Sequence, residues 1–177
     1  MSNANLIDRY LPEYDFRSRH NRRVKTNRQT IYPVIRHLDF RGSAITRWLF
    51  KLRGLSFSAL TMDGILTSDL FSIIQESPDD EFVIGALIRL PGKPMAFNDG
   101  RQYNEFQQDN SLKIAWNFRL NSFGENLTEV STETRVKCIG KQAKTAFAIY
   151  WFFIKPFSGW IRREMLRLIK KQSEKTN

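Results

Sequence analysis

LKIAWNFRLNSFGENLTEVSTETRVKC, residues 112–138, reads as two strands and a tight connection. Leu112, Ile114, Trp116, Phe118 and Leu120 alternate with Lys113, Ala115, Asn117, Arg119 and Asn121, and Val130 and Val136 alternate with Ser131, Glu133 and Arg135. That period of two is the signature of a sheet with distinct faces. A slip of one residue would put Trp116 and Phe118 on the face of Glu133, so the register must pair Trp116 with Thr134 and Phe118 with Thr132. The hairpin then closes around Phe123 to Leu127, where Gly124 supplies turn freedom. Arg119 falls within diagonal reach of Glu133 on the outer face. The inner face is aromatic with a few hydroxyls.

Upstream, LFSIIQES (70–77) and EFVIGALIRL (81–90) flank Pro78-Asp79-Asp80, which predicts a second hairpin. FRSRHNRRVK (16–25) is a further strand candidate. Thr26 and Gln29 follow it at capping-box spacing. The helix they announce carries Ile31, Val34, Ile35 and Leu38 on one face, and Pro33 requires it to start near Thr30 or to kink. SAITRWLFKLRG (43–54) predicts another helix, with Ser43 as cap, Ile45, Trp48, Leu49 and Leu52 as its apolar face and Gly54 as its stop. Downstream, a long helix from about Lys141 is expected to be interrupted near Pro156. Residues 145–154 are apolar nearly all round, which predicts burial on more than one side. Beyond them Ile161, Met165, Leu168 and Ile169 form a stripe opposed by Arg162, Arg163, Arg167, Lys170 and Lys171. This order predicts an α+β fold, a curved antiparallel sheet wrapped around a long kinked C-terminal helix, with two short helices after the first strand. With no repeat or linker, the expectation is one domain over residues 1–177, with an N-terminal extension (1–15) and a C-terminal helix (141–173).

Composition narrows the function classes. A chain of 177 residues, 41% hydrophobic, can bury one sizeable core. Mean hydropathy is −0.44. The run from Thr145 to Ile154 is too short to span a bilayer, and the N-terminus has no apolar core of signal type, so a cytoplasmic protein is expected. One cysteine, Cys138, and two histidines, His20 and His37, offer no metal-ligand spacing, and neither metal nor cofactor is expected. The net charge of +10 is uneven: residues 16–53 carry eleven Lys/Arg against Asp39, the middle is acidic, and residues 134–177 carry eleven against Glu164 and Glu174. Such basic ends suit an anionic surface. No nucleic-acid reader motif accompanies them, so nucleic acid is not the expected partner.

The element order, together with YLPEYDFRSRH (10–20), AITRWLFKLRGL (44–55), WNFR (116–119), STETRV (131–136) and PFSGWIRREMLRLIKK (156–171), resembles the SRPBCC superfamily, and within it a bacterial branch. This is the helix-grip fold of START-type lipid binders, pollen-allergen-like proteins and polyketide cyclases. The resemblance covers nearly the whole chain. It implies a cavity between the concave sheet face and the long helix, walled by Trp116, Phe118, Thr132 and Thr134 from the strands and Phe147, Tyr150, Trp151 and Ile154 from the helix. Apolar walls with sparse hydroxyls suit a small hydrophobic molecule. Aromatic inward faces are also how a plain core is built.

Seven of the 23 aromatics lie between Phe147 and Trp160, more than one helix face buries, which makes a homodimer contact a further expectation. The alternatives to carriage are a cyclase- or dehydratase-like enzyme and a protein that docks its basic terminal helix on anionic lipid or a partner. For an enzyme, Tyr150 and Tyr103 are candidate acids and Glu105 and Asp109 candidate bases, with no pair fixed by spacing. His37 reads as an ordinary helix histidine.

Overall fold

The computed structural model describes residues 5–39, 61–67 and 70–175. The elements are α1 (Leu6–Tyr10), β1 (Phe16–Val24), α2 (Arg28–Arg36), α3 (Met62–Leu66), β2 (Ser72–Ser77), β3 (Glu81–Arg89), β4 (Lys93–Met95), α4 (Gly100–Glu105), β5 (Ser111–Ser122), β6 (Thr128–Ile139) and α5 (Lys141–Ser173). The strands form one curved antiparallel sheet in the order β1-β6-β5-β3-β2, with β4 paired to the end of β3. The long helix α5 packs against β1 and β6.

The hairpin β5–β6 has the register that alternation demands, Trp116 opposite Thr134 and Phe118 opposite Thr132. Phe123 N–H donates to Leu127 C=O at 2.7 Å to close it, with Gly124 at φ +106°. The turn between β2 and β3 falls on Pro78-Asp79-Asp80, where Asp79 takes a left-handed φ of +60°. Asp and Asn tolerate that conformation better than other side-chain-bearing residues do.

Four sequence expectations are corrected. The cap of α2 is Asn27, whose side chain accepts from Thr30 N–H at 2.9 Å, while Thr26 is buried and its carbonyl accepts from Thr128. The helix starts at Arg28 and runs through Pro33. The interruption expected near Pro156 does not occur, since α5 is one unbroken helix of 33 residues. Proline deletes a single hydrogen bond, the one Phe152 C=O would accept, and packing on both sides of that point carries the helix across. Burial of residues 145–154 on more than one side is also not found: Ile149, Tyr150, Phe152 and Phe153 are exposed. The helix expected over residues 43–54 lies outside the described residues.

The inner face of the sheet and α5 enclose the main core. Ile161, Met165, Leu166, Leu168 and Ile169 of α5 meet Trp116, Phe118, Leu120, Val130, Phe82 and Ile84, with Ile31, Ile35, Leu38 and Met62 closing one end. A second cluster forms around Phe147, Ala143, Leu112, Val136 and Cys138. The outer face is covered as well. Ile7, Leu11, Phe97 and Tyr103 pack on Val83, Leu87 and Ala115.

The N-terminal segment is anchored there by charge. Glu81 accepts from the Leu6 and Ile7 amides at 2.8 and 3.3 Å, at the start of α1, and Arg135 donates to Leu11 C=O at 2.9 Å and pairs with Asp8 at 2.6 Å. A carboxylate at a helix start and a cation at its end match the helix dipole. Glu133 and Arg135 lie on the outer face, as alternation predicts, and are buried there beneath residues 5–15.

Candidate functional site

Strand pairing aligns inward side chains in rows across the sheet. One row runs Ser18, Thr134, Trp116, Ile84, and the next runs His20, Thr132, Phe118, Phe82. Polar groups thus occupy the β1–β6 end of each row and rings the β5–β3 end. The indole N–H of Trp116 donates to Thr132 Oγ1 at 2.7 Å, and that hydroxyl donates to Asn117 C=O at 2.9 Å. The Trp116 and Phe118 ring centroids are 5.2 Å apart, Phe118 stacks on Phe82 at 5.5 Å, and Phe71 meets Trp116 edge-on at 6.2 Å. Thr134 Oγ1 is buried with no hydrogen-bond partner among the described residues. Such an orphaned hydroxyl costs about 1–3 kcal/mol.

Above these rows stands the second half of α5. The Arg162 guanidinium lies 5.2 Å from the Trp116 ring centroid, a cation–π contact. Gly159 faces His20, near enough that a side chain's first carbon would lie 3.5 Å from Nε2. His20 Nε2 is 3.3 Å from Ser18 Oγ. Burial, followed by the charges of Arg162 and Arg163, holds the imidazole below its ordinary pKa, so it is neutral at pH 7. The strip therefore combines a neutral imidazole, three hydroxyls, a guanidinium and a wall of rings. Ser18, His20, Ile114 and Arg162 are only half-buried, so solvent reaches the edge of a site whose floor, Thr134, is closed.

Of the eight predicted wall residues, Trp116, Phe118, Thr132 and Thr134 come together. Phe147 and Trp151 stack on each other at 5.8 Å and pack on Phe16, beyond the strip, Tyr150 is exposed, and Ile154 is half-buried. The physical reason is rise per residue. From Ile139 back to Thr134 and Thr132 the strand covers roughly 17–23 Å, and a helix needs roughly 11–15 residues for that distance. Residues well past Trp151 therefore stand over the threonines.

Arg162, His20 and Ser18 were missed. Ser18 and His20 share the parity of Phe16 and Val24, a signal available in the sequence, whereas Arg162 reads as part of the solvent face. Among the candidate acids and bases, Tyr103 is fully buried with its pKa driven up by burial, and Glu105 is exposed and paired to Arg101 at 2.8 Å. Burial raises the Cys138 pKa to about 11. It is a thiol, not a thiolate nucleophile.

A cleft of about 510 Å³ opens on the other side of the sheet, lined by Arg9, Tyr10, Glu13, Lys113, Lys137 and Gly140 among others. The buried Lys113 ammonium there donates to Asn104 C=O at 3.0 Å and lies 5.0 Å from the Tyr103 ring centroid. No group of three or more His, Cys, Asp or Glu suited to a metal occurs among the described residues.

No family model and no curated protein matches the chain. Solved structures do. A conserved protein from Geobacillus kaustophilus aligns over 91% of this chain and 97% of its own at 10% identity, with a TM-score of 0.48. The di-domain ARO/CYC protein BexL from the BE-7585A biosynthetic pathway aligns over 90% of this chain and 47% of its own at 9% identity, TM-score 0.37. A protein from Thermus thermophilus aligns over 92% and 99% at 9% identity, TM-score 0.32.

Proposed function

We propose that the chain binds a small, largely apolar molecule between the inner sheet face and α5, with a polar end of that molecule at Thr134, His20 and Arg162. The observation that carries this is the Thr134 hydroxyl, buried without a partner among the described residues, beside a wall of rings and beneath a half-open rim. A ligand oxygen there would relieve the unpaired group, and apolar contact would add about 25 cal/mol per Å². The SRPBCC resemblance implies a ligand between the sheet and the long helix.

The experiment is a titration with the apolar dye anilinonaphthalene sulfonate, alongside mass spectrometry of small molecules released from the purified protein. It is run on a Phe152→Ser/Phe153→Ser background, so that exposed rings do not capture the dye. Saturable binding of one dye per chain, lost in Gly159→Leu, whose side chain would press on His20, is the expected result. Absence of both a released molecule and saturable binding would overturn the reading.

One observation favours a second reading. A neutral His20 beside Ser18 is poised to accept a proton, as a cyclase- or dehydratase-like enzyme would need. His20→Gln would then abolish turnover while leaving dye binding intact.

A further inference from the structure

We infer that the outward face of α5 docks on an anionic membrane surface. Five large apolar side chains of this helix are exposed: Ile149 at 61%, Tyr150 at 44%, Phe152 at 77%, Phe153 at 67% and Trp160 at 46%. Four of them share one stripe. At 100° per residue Ile149, Phe152, Phe153, Pro156 and Trp160 fall opposite the buried Ala143, Phe147, Ile161 and Met165. The same stripe continues into Arg163, Arg167 and Lys171, all exposed, and Lys141 and Lys155 are exposed beside its aromatic half. A helix that has buried one apolar face normally presents polar residues on the other. This one presents rings for about three turns and then cations.

Charge selects the partner. Along its length α5 carries eight Lys/Arg against Glu164 alone, and Glu164 is already paired to Arg167 at 2.7 Å. Phenylalanine and tryptophan settle at the boundary between headgroups and acyl chains, and each nearby Lys or Arg gains about 1 kcal/mol at an anionic leaflet. Rings and cations on one surface supply the two signals stable attachment requires. A second copy of the chain fits less well, because it brings the same +10 charge and because lysine is depleted at protein interfaces. No helix of the described residues is long and apolar enough to cross a bilayer, so the contact is peripheral. The surface lies away from the Thr134 strip and does not depend on a ligand there.

The test is co-sedimentation of the full chain with vesicles of phosphatidylcholine alone and of phosphatidylcholine mixed with phosphatidylglycerol. Circular dichroism verifies the fold of each variant, and sedimentation velocity reports the oligomeric state. The expected result is binding to the anionic vesicles that weakens with salt and falls at least about tenfold in both Phe152→Ser/Phe153→Ser and Arg163→Glu/Lys171→Glu. These side chains are exposed, so the variants keep the fold. Equal binding by wild type and variants, or no binding by wild type, overturns the inference. So does a wild-type dimer that Phe152→Ser/Phe153→Ser converts to monomer, since a second copy would then cover the face.

Discussion

Glu133 is held between two guanidiniums. Arg17 donates to it from Nε at 2.8 Å and from its terminal nitrogen at 3.0 Å, and Arg135 donates from Nε at 2.7 Å. Burial alone would raise its pKa, but the hydrogen bonds and charges of Arg17 and Arg135 outweigh burial and hold it below the ordinary value. Its contribution to stability is therefore present at neutral pH and is lost as pH falls below about 4.5, the unfolded value. Glu133→Gln leaves Arg135 buried with a weakened partner. We expect a loss of about 3 kcal/mol, read from urea unfolding at pH 7.

His20 acts in a different window. Its folded pKa lies below the ordinary 6.5, so as pH falls the unfolded chain takes up the proton first. The stability His20 contributes is full above about pH 6.5 and declines as pH drops below that value towards the folded pKa. His20→Gln should flatten the stability profile just below about pH 6.5 while leaving the more acidic carboxylate limb in place. An unchanged slope in that interval would remove His20 from the account.

At the scale of elements, α5 tolerates a proline that its own hydrogen bonding disfavours. Pro156→Ala restores a donor to Phe152 C=O at an exposed position and should raise stability by about 1–3 kcal/mol, measured by thermal and urea unfolding. A fall in stability would show that the helix depends on geometry at Pro156. The same helix shows what periodicity can and cannot reveal. The β5–β6 register followed from two faces of unlike polarity, because only one alignment keeps Trp116 and Phe118 away from Glu133. The stripe Ile161, Met165, Leu168, Ile169 was equally legible and is buried. Residues 145–154 were not, since a segment apolar all round carries no phase, and a buried face cannot then be told from an exposed one. Which turn of α5 faces the threonines depends on two different rises per residue, a distance that side-chain pattern does not encode. Arg162 escaped for a related reason, because a guanidinium that stacks on an indole looks in sequence like any other solvent cation.

Across the whole molecule, the sheet has a core on each side, and β5 serves both. Trp116 and Phe118 face α5, while Asn117 between them donates to Glu81 at 2.6 Å and accepts from the Glu133 amide at 2.9 Å on the other side. A chain of hydrogen bonds therefore runs from the Trp116 indole through Thr132 and Asn117 to Glu81 and the first amides of α1. The composition showed that one core was affordable, and nothing in it announced that residues 5–15 would roof a second. Removing residues 1–11 strips Asp8 and the Leu11 carbonyl from Arg135, the Leu6 and Ile7 amides from Glu81, and Ile7 and Leu11 from the cluster around Tyr103. We expect the truncated chain to lose at least about 3 kcal/mol in urea or to aggregate on expression. Unaltered unfolding would show that the roof is dispensable.

A single residue, Gly140, separates β6 from α5, with φ at +94° and Asp109 pressed so close that no side chain fits. One extra amino acid at that joint would turn the whole rod by about 100°. Leu168 and Met165 would swing out of their seats and a neighbouring flank would be driven under the threonines. Lengthening the Phe123–Leu127 tip would disturb nothing comparable. Natural variation in length and engineered fusions should therefore be tolerated at that tip and rejected at the joint.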